Sequence, residues 1–225
     1  MNSVTIHSSD TVLIDICGTV FDSNTTFDFL DEFLRQSSYA RFRRLSRTVI
    51  WRAISKSFAL LRGTDLTRYI AVRYLRDIPR QQLVEAADRF CESVLRHKVK
   101  VRTIETIEQY RRQGYRLVLA SATLDFIAEA VARWLSIDTF FGSELSYTVG
   151  GNCRGLIVKD RLGHKLQAVK DYQIALPVAV TITDNLSDID ILRMSDRVWI
   201  VAPENMRRHW LSLLKKNRLT NFSFL

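Results

Sequence analysis

Three short apolar runs in this chain end on a polar residue, and helix-forming sequence follows each of them. Residues 11–16 are apolar and partly β-branched up to Asp15, and Cys17, Gly18 and Thr19 then break the pattern. Residues 115–120 (YRLVLA) lead into Ser121, and residues 177–183 (PVAVTIT) lead into Asp184. Short continuous apolar runs bounded by turn residues read as buried strands. Strands of this kind, alternating with helices, build a parallel sheet covered on both faces. A ligand of such a sheet sits outside the carboxyl ends of its strands. Asp15, Ser121 and Asp184 are therefore expected to share one site.

The rest of the chain fits this alternation with one interruption. Helices are expected over 101–113 (closed by Gly114), 123–135, 165–172, 186–194 and 204–216. A strand is expected over 197–201, and a strand and hairpin over 140–156, where Gly142, Gly150, Gly151 and Gly155 cluster. Between residues 25 and 98 the character changes: Gly63 and Pro79 are its only glycine and proline, and helix formers dominate. Phe42, Leu45, Val49, Ala53 and Leu61 recur at helical spacing. Asp65 suits a helix cap and Pro79 a first helical turn. The expected fold is α/β: a Rossmann-like parallel sheet core (1–23 and 99–225) with helices on both faces, and an all-helical cap of about four helices (24–98) inserted after the first strand. A chain of 225 residues is long enough for one core domain plus such an insert.

Taken together, these segments resemble the haloacid dehalogenase superfamily. Asp15-Ile-Cys-Gly-Thr19 resembles its first motif, DxDGT, and Leu119-Ala-Ser121 its second, a strand ending in Ser or Thr. Lys165 matches the third-motif lysine in spacing, although Lys159 and Lys170 are near enough to compete. Thr183-Asp184-Asn-Leu-Ser-Asp188 resembles the fourth motif, in which a second Asp follows the first by four residues. The insert after the first motif, and Gly142-Ser-Glu-Leu145 leading to Gly155, are similar to the phosphoserine phosphatase-like branch.

The resemblance implies roles. Asp15 would be the nucleophile that takes the phosphoryl group. Asp15, the carbonyl of Cys17, and Asp184 would coordinate Mg²⁺, with Asp188 binding it directly or through a water. Gly18, Thr19, Ser121 and Ala122 would contact the phosphate, Ser121 through its hydroxyl, and backbone N–H groups of the turn after Asp15 would complete the cradle. Lys165 would place a compact positive charge beside both nucleophile and phosphate. Ser121 would also suit the cap of the following helix.

Cys17 departs from the family pattern. Phosphatases of the family carry at this position an Asp that protonates the leaving group and then activates water. A thiol is a poor substitute for that acid, whereas a metal-binding carbonyl survives the exchange. Two readings follow: a Mg²⁺-dependent phosphohydrolase with an altered acid position, or a phosphate- and Mg²⁺-binding regulatory protein with impaired turnover.

The net charge of +9 favours anionic partners, and most of the excess lies in the helical stretch. Arg35, Arg41, Arg43, Arg44, Arg47, Arg52, Lys56 and Arg62 interleave there with Phe42, Trp51, Ile54, Phe58 and Leu61. The expected partner is a phosphorylated small molecule or lipid head group, and a basic amphipathic cap also suits an anionic membrane surface. This gives a third reading, a peripheral membrane module. No nucleic-acid recognition motif is present. Cys17, Cys91 and Cys153 form no CxxC pair, which excludes the usual zinc spacing and a disulfide framework. No signal-peptide pattern opens the sequence, so the expected location is cytoplasmic, peripheral at the membrane where the cap contacts lipid.

Overall fold

A computed structural model describes residues 9–62 and 64–225. The side chains of Ser9, Ala59, Leu61 and Arg62, and Gly63 as a whole, lie outside the described residues, so the expected helical spacing is followed only as far as Ala53. The chain opens with strand β1 (Ser9–Ile14). Five helices follow: α1 (Thr25–Phe33), α2 (Ser37–Ser46), α3 (Val49–Arg62), α4 (Leu66–Val72) and α5 (Arg80–Ser93). Then come α6 (Val101–Arg112), β2 (Arg116–Leu124), α7 (Asp125–Leu135), β3 (Thr139–Tyr147), β4 (Cys153–Lys159), α8 (Lys165–Asp171) and β5 (Val178–Thr183). The chain ends with α9 (Ile189–Leu192), β6 (Ser195–Ile200), α10 (Glu204–Lys216) and β7 (Phe222–Phe224).

The strands form one sheet in the order β4-β3-β2-β1-β5-β6-β7. All neighbours run parallel except the β3–β4 hairpin. Side chains of a strand alternate between the sheet's faces, and here both faces are apolar. Val12 and Ile14 of β1, with Leu117 and Leu119 of β2, join a core that includes Ile107 of α6 and Val131 of α7. Leu13, Val118 and Ala120 join a second core with Val169 of α8, Ile191 of α9 and Trp210 of α10. This two-sided burial is why the strands read as continuous apolar runs, and it makes the core the expected Rossmann-like α/β sheet.

Some boundaries differ from expectation. Among the described residues the helical stretch holds five α-helices rather than about four; Asp65, as expected of a cap, accepts from the Arg68 N–H and starts the short helix α4. β2 runs on to Leu124 through an irregularity after Ala120, so Ser121 lies within the strand. Ser121 does not cap α7; its Oγ accepts instead from the Thr123 N–H at 3.2 Å, and Leu124 holds the cap position. The helix expected over 186–194 is only a 3₁₀ turn and the single turn of α9. The edge strand β7 was not expected. Among the described residues no helix is long and apolar enough to cross a membrane.

Candidate active site

β1 is the central strand, between β2 and β5. Its carboxyl end delivers Asp15 to the point where β2, at the irregularity after Ala120, brings Ser121 and the end of β5 brings Asp184. All three line one cavity of about 640 Å³, together with Cys17, Gly18, Ala122 and Arg68.

Asp15 is 5% exposed. Its Oδ1 accepts from the Ile16 N–H at 2.7 Å, and its Oδ2 lies 2.7 Å from Lys165 Nζ. Lys165 also donates to Asp188 Oδ2 at 2.7 Å, which accepts in addition from the Thr183 hydroxyl at 2.6 Å. Lys165 and Asp188 thus lie beneath Asp15 and do not line the cavity. Burial pushes Asp15 upward, Lys165 opposes that shift and Asp188 adds to it. Burial alone would push Lys165 down, but Asp15 and Asp188 hold it above the usual lysine range, so it stays an ammonium. The two competing lysines are elsewhere: Lys159 pairs with Asp171 at 2.8 Å, and Lys170 is exposed.

The turn after Asp15 closes on itself. The N–H groups of Thr19, Val20 and Phe21 all donate to the Ile16 carbonyl, and that of Gly18 donates to Ser23 O at 3.3 Å. These four amides are engaged within the turn. Thr19 is fully buried behind the turn rather than in the cavity. Its hydroxyl donates to Asp184 Oδ1 at 3.0 Å and accepts from the Asp184 N–H at 2.8 Å. Thr19 so ties the β1 turn to the end of β5. Gly18 has φ +68°, and a Cβ there would stand 1.9 Å from Asp184 Oδ2. Glycine is what lets the turn pass against that carboxylate.

Cys17 points toward α1. Its Sγ lies 2.8 Å from Thr25 Oγ1, which itself lies 2.7 Å from Thr123 Oγ1. Either the thiol or the Thr25 hydroxyl can be the donor in the Cys17 contact. Burial pushes the thiol up, and the Asp15 charge pushes it further.

Three features bear on a divalent cation. Five aspartates line the cavity (Asp15, Asp22, Asp28, Asp65, Asp184), with Arg68 the only basic residue among its lining. Burial, and after it the Asp15 charge, push Asp184 up to about 6 against the opposing effects of the Thr19 hydroxyl, Lys165 and Lys100. Asp188 Oδ1 is buried without a partner among the described residues. No group of three His, Cys, Asp or Glu side chains among the described residues converges tightly enough to hold a metal. Two carboxylates and a backbone carbonyl nevertheless suit Mg²⁺, which binds through one or two carboxylates and keeps several waters. The donor set therefore fits the ion.

Sequence reading missed Arg68. It is 5% exposed on α4 and donates to Asp160 Oδ1 at 2.8 Å and to the Ala122 carbonyl at 2.6 Å. Ser143 Oγ donates to the same carbonyl at 2.9 Å. One residue of the helical stretch thus holds the backbone next to Ser121. Its only local signal was an arginine one turn after the cap residue Asp65.

A profile of the haloacid dehalogenase-like hydrolase family matches residues 12–193. A search of curated proteins gives no match. Among solved structures, a protein of unknown function from Bordetella pertussis Tohama I is 16% identical, with a TM-score of 0.72 over 96% of this chain and 99% of that one. A phosphoserine phosphohydrolase-like protein from Francisella tularensis subsp. tularensis SCHU S4 is 13% identical, with a TM-score of 0.62 over 95% and 94%. A phospho-aspartyl intermediate analogue of phosphoserine phosphatase is 16% identical, with a TM-score of 0.53 over 95% and 100%. These likenesses are likenesses of fold. The family profile goes further, because it runs from β1 past α9 and takes in every strand end that meets at Asp15: the chain belongs to the haloacid dehalogenase-like hydrolases.

Proposed function

We propose that this chain is a Mg²⁺-dependent phosphohydrolase that works through an aspartyl-phosphate on Asp15. The observation that carries the reading is a buried carboxylate at the end of the central strand, 2.7 Å from a buried ammonium and facing an acid-lined cavity. Asp15 attacks phosphorus, the P–O bond to the alcohol breaks, and water then cleaves the acyl phosphate to restore Asp15 and release phosphate. Asp15, Asp184 and the Cys17 carbonyl would hold the ion, with Asp188 behind them. When bound, Mg²⁺ neutralises phosphoryl charge that five aspartates would otherwise repel. Lys165 orients Asp15, and Ser121 and Ala122 at the cavity wall face the phosphoryl group. The helices between residues 24 and 98 act as the cap, and the substrate is a phosphorylated metabolite or a lipid phosphate.

Cys17 favours a second reading, a chain that binds phosphate and Mg²⁺ but turns over poorly. A thiol pushed up by burial and by the Asp15 charge neither protonates an alkoxide as a carboxylic acid would nor serves as a ready base for water. General acid–base help contributes about 10²–10⁴-fold. Hydrolysis of a panel of phosphomonoesters decides between the two readings, run with wild type, Asp15→Asn and Cys17→Asp. Activity that needs both Mg²⁺ and Asp15 supports the enzyme. A gain of about 100-fold or more in Cys17→Asp supports impaired turnover. Activity that survives Asp15→Asn removes the nucleophile assignment.

A further inference from the structure

Helix α3 is apolar on two opposite sides, and only one of them is covered. At about 3.6 residues per turn, Trp51, Ser55 and Phe58 fall on one side, Val49, Ala53 and Leu60 on the other, and Ile50 and Ile54 on one flank between them. The first side packs inward: Trp51 Nε1 donates to Thr67 Oγ1 at 2.9 Å, and the Trp51 ring meets Phe42 edge-on. The second side and the flank face solvent, with Val49, Ile50 and Leu60 at 79%, 75% and 80% exposure. Ile54, and Leu45 of α2, are also exposed. A solvent face of a helix is ordinarily polar, and a contiguous apolar patch marks a contact surface.

The charge around the patch identifies what covers it. From residue 33 to residue 64 there is no Asp or Glu, against seven arginines and one lysine. Arg35, Arg43 and Arg47 pair with Glu32 or Asp31. Arg41, Arg44, Arg52 and Lys56 are exposed and have no ion pair to a described residue. Arg52 and Lys56 border the apolar side of α3 itself. An apolar stripe flanked by unpaired cations matches the boundary of an anionic bilayer, where the stripe enters the acyl region and the cations meet lipid phosphates. A nucleic acid would satisfy the cations and leave the apolar stripe exposed.

We propose that the outward face of α2 and α3 docks on an anionic bilayer surface. A groove of about 810 Å³, lined in part by Val49, Arg52 and Lys56, shares Phe27, Asp65 and Leu162 with the wall of the Asp15 cavity. Docking would therefore set the entrance of that cavity beside the lipid headgroups. The docking itself does not depend on turnover and is read without it.

The test is co-sedimentation of the full chain with phosphatidylcholine vesicles, with and without about one third phosphatidylglycerol, at low and high salt. Two variants accompany wild type, V49N/I50N/I54N and R41Q/R44Q/R52Q/K56Q, all at exposed positions and each checked for unchanged thermal melting. The expected result is pelleting with anionic vesicles only, weakened about tenfold or more by the asparagine variant and about fivefold per lost charge by the other. Three results would each overturn the proposal: no pelleting with anionic vesicles, undiminished pelleting of the asparagine variant, or binding to a duplex oligonucleotide tighter than to vesicles.

Discussion

Replacing Lys165 with methionine tests the electrostatic account of the site directly. Asp15, Lys165 and Asp188 form a buried triad with both ion-pair distances at 2.7 Å and side-chain exposures of 5%, 5% and 1%. With both carboxylates ionised the triad carries −1. Lys165→Met raises that to −2 in a largely buried site, whereas Asp188→Asn lowers it to zero and keeps an oxygen for Thr183. Removing one partner of a buried pair costs about 3–5 kcal/mol, against about 0–1 for a surface pair. Lys165→Met is therefore expected to lower Tm by about 6–20 °C, at roughly 2–4 °C per kcal/mol for a chain of this size. Asp188→Asn is expected to lose less than half as much.

The loss also depends on pH. Asp15 is already pushed up by burial, and without the ammonium it is pushed further. A carboxylate raised in the folded state contributes stability that is full below its unfolded value and lost as pH rises through its folded value. The deficit of Lys165→Met is thus smaller at pH 5 than at pH 8. The assay is urea unfolding followed by circular dichroism at both pH values, in chelator so that no divalent cation takes the place of the ammonium. A cost of less than about 1 kcal/mol for Lys165→Met would refute the reasoning, as would a larger cost for Asp188→Asn than for Lys165→Met.

Three further outcomes are expected. Gly18→Ala puts a Cβ 1.9 Å from Asp184 Oδ2 at φ +68°; it should displace that carboxylate and weaken Mg²⁺ binding at least tenfold by titration calorimetry, and unchanged affinity would remove Asp184 from the ligand set. Arg68→Lys should recover less than half of the stability lost in Arg68→Met on urea unfolding, because an ammonium cannot serve Asp160 and the Ala122 carbonyl at once as the guanidinium fork does. Asp125, pushed by burial to about 6 despite its bond from the Phe126 N–H, should make wild-type stability fall between pH 4 and pH 6. Asp125→Asn should remove that slope, on the order of 2 kcal/mol, and an unchanged slope would place its origin elsewhere.

The parts of the site legible in sequence are those fixed by strand period and chain order. A strand buried on both faces reads as an apolar run, and the residue after it necessarily arrives at the sheet's carboxyl end. That places Asp15 and Asp184 with no knowledge of their neighbours. Lys165 was legible only as a spacing, and geometry separated it from Lys159 and Lys170 because it alone is buried against Asp15. The short strand β7 left no signal, since three residues are too few to show a period. Ser121 was expected at a strand end because YRLVLA stops being apolar there, but hydrogen bonding carries β2 past it to Leu124.

What stayed hidden is the set of hydroxyls and one arginine that hold the acids in place. Thr19 meets Asp184 across 165 residues, Thr25 meets Thr123 across 98, and Arg68 reaches Ala122 across 54. No local pattern encodes such pairs, since each residue is ordinary in its own segment and acquires a role only when the sheet brings distant segments together. The same holds for Cys17. Its sequence position marks a missing acid, but only the fold shows the thiol buried beside the Asp15 charge, where it is pushed up and so is a poor stand-in as a base. The outward face of α3 is the opposite case. Its apolar stripe and its run without acids are both written locally, yet the periodicity alone predicts a buried helix. Only the exposure of Val49, Ile50 and Leu60 shows that the fold leaves that side uncovered, and the proposed docking rests on that exposure.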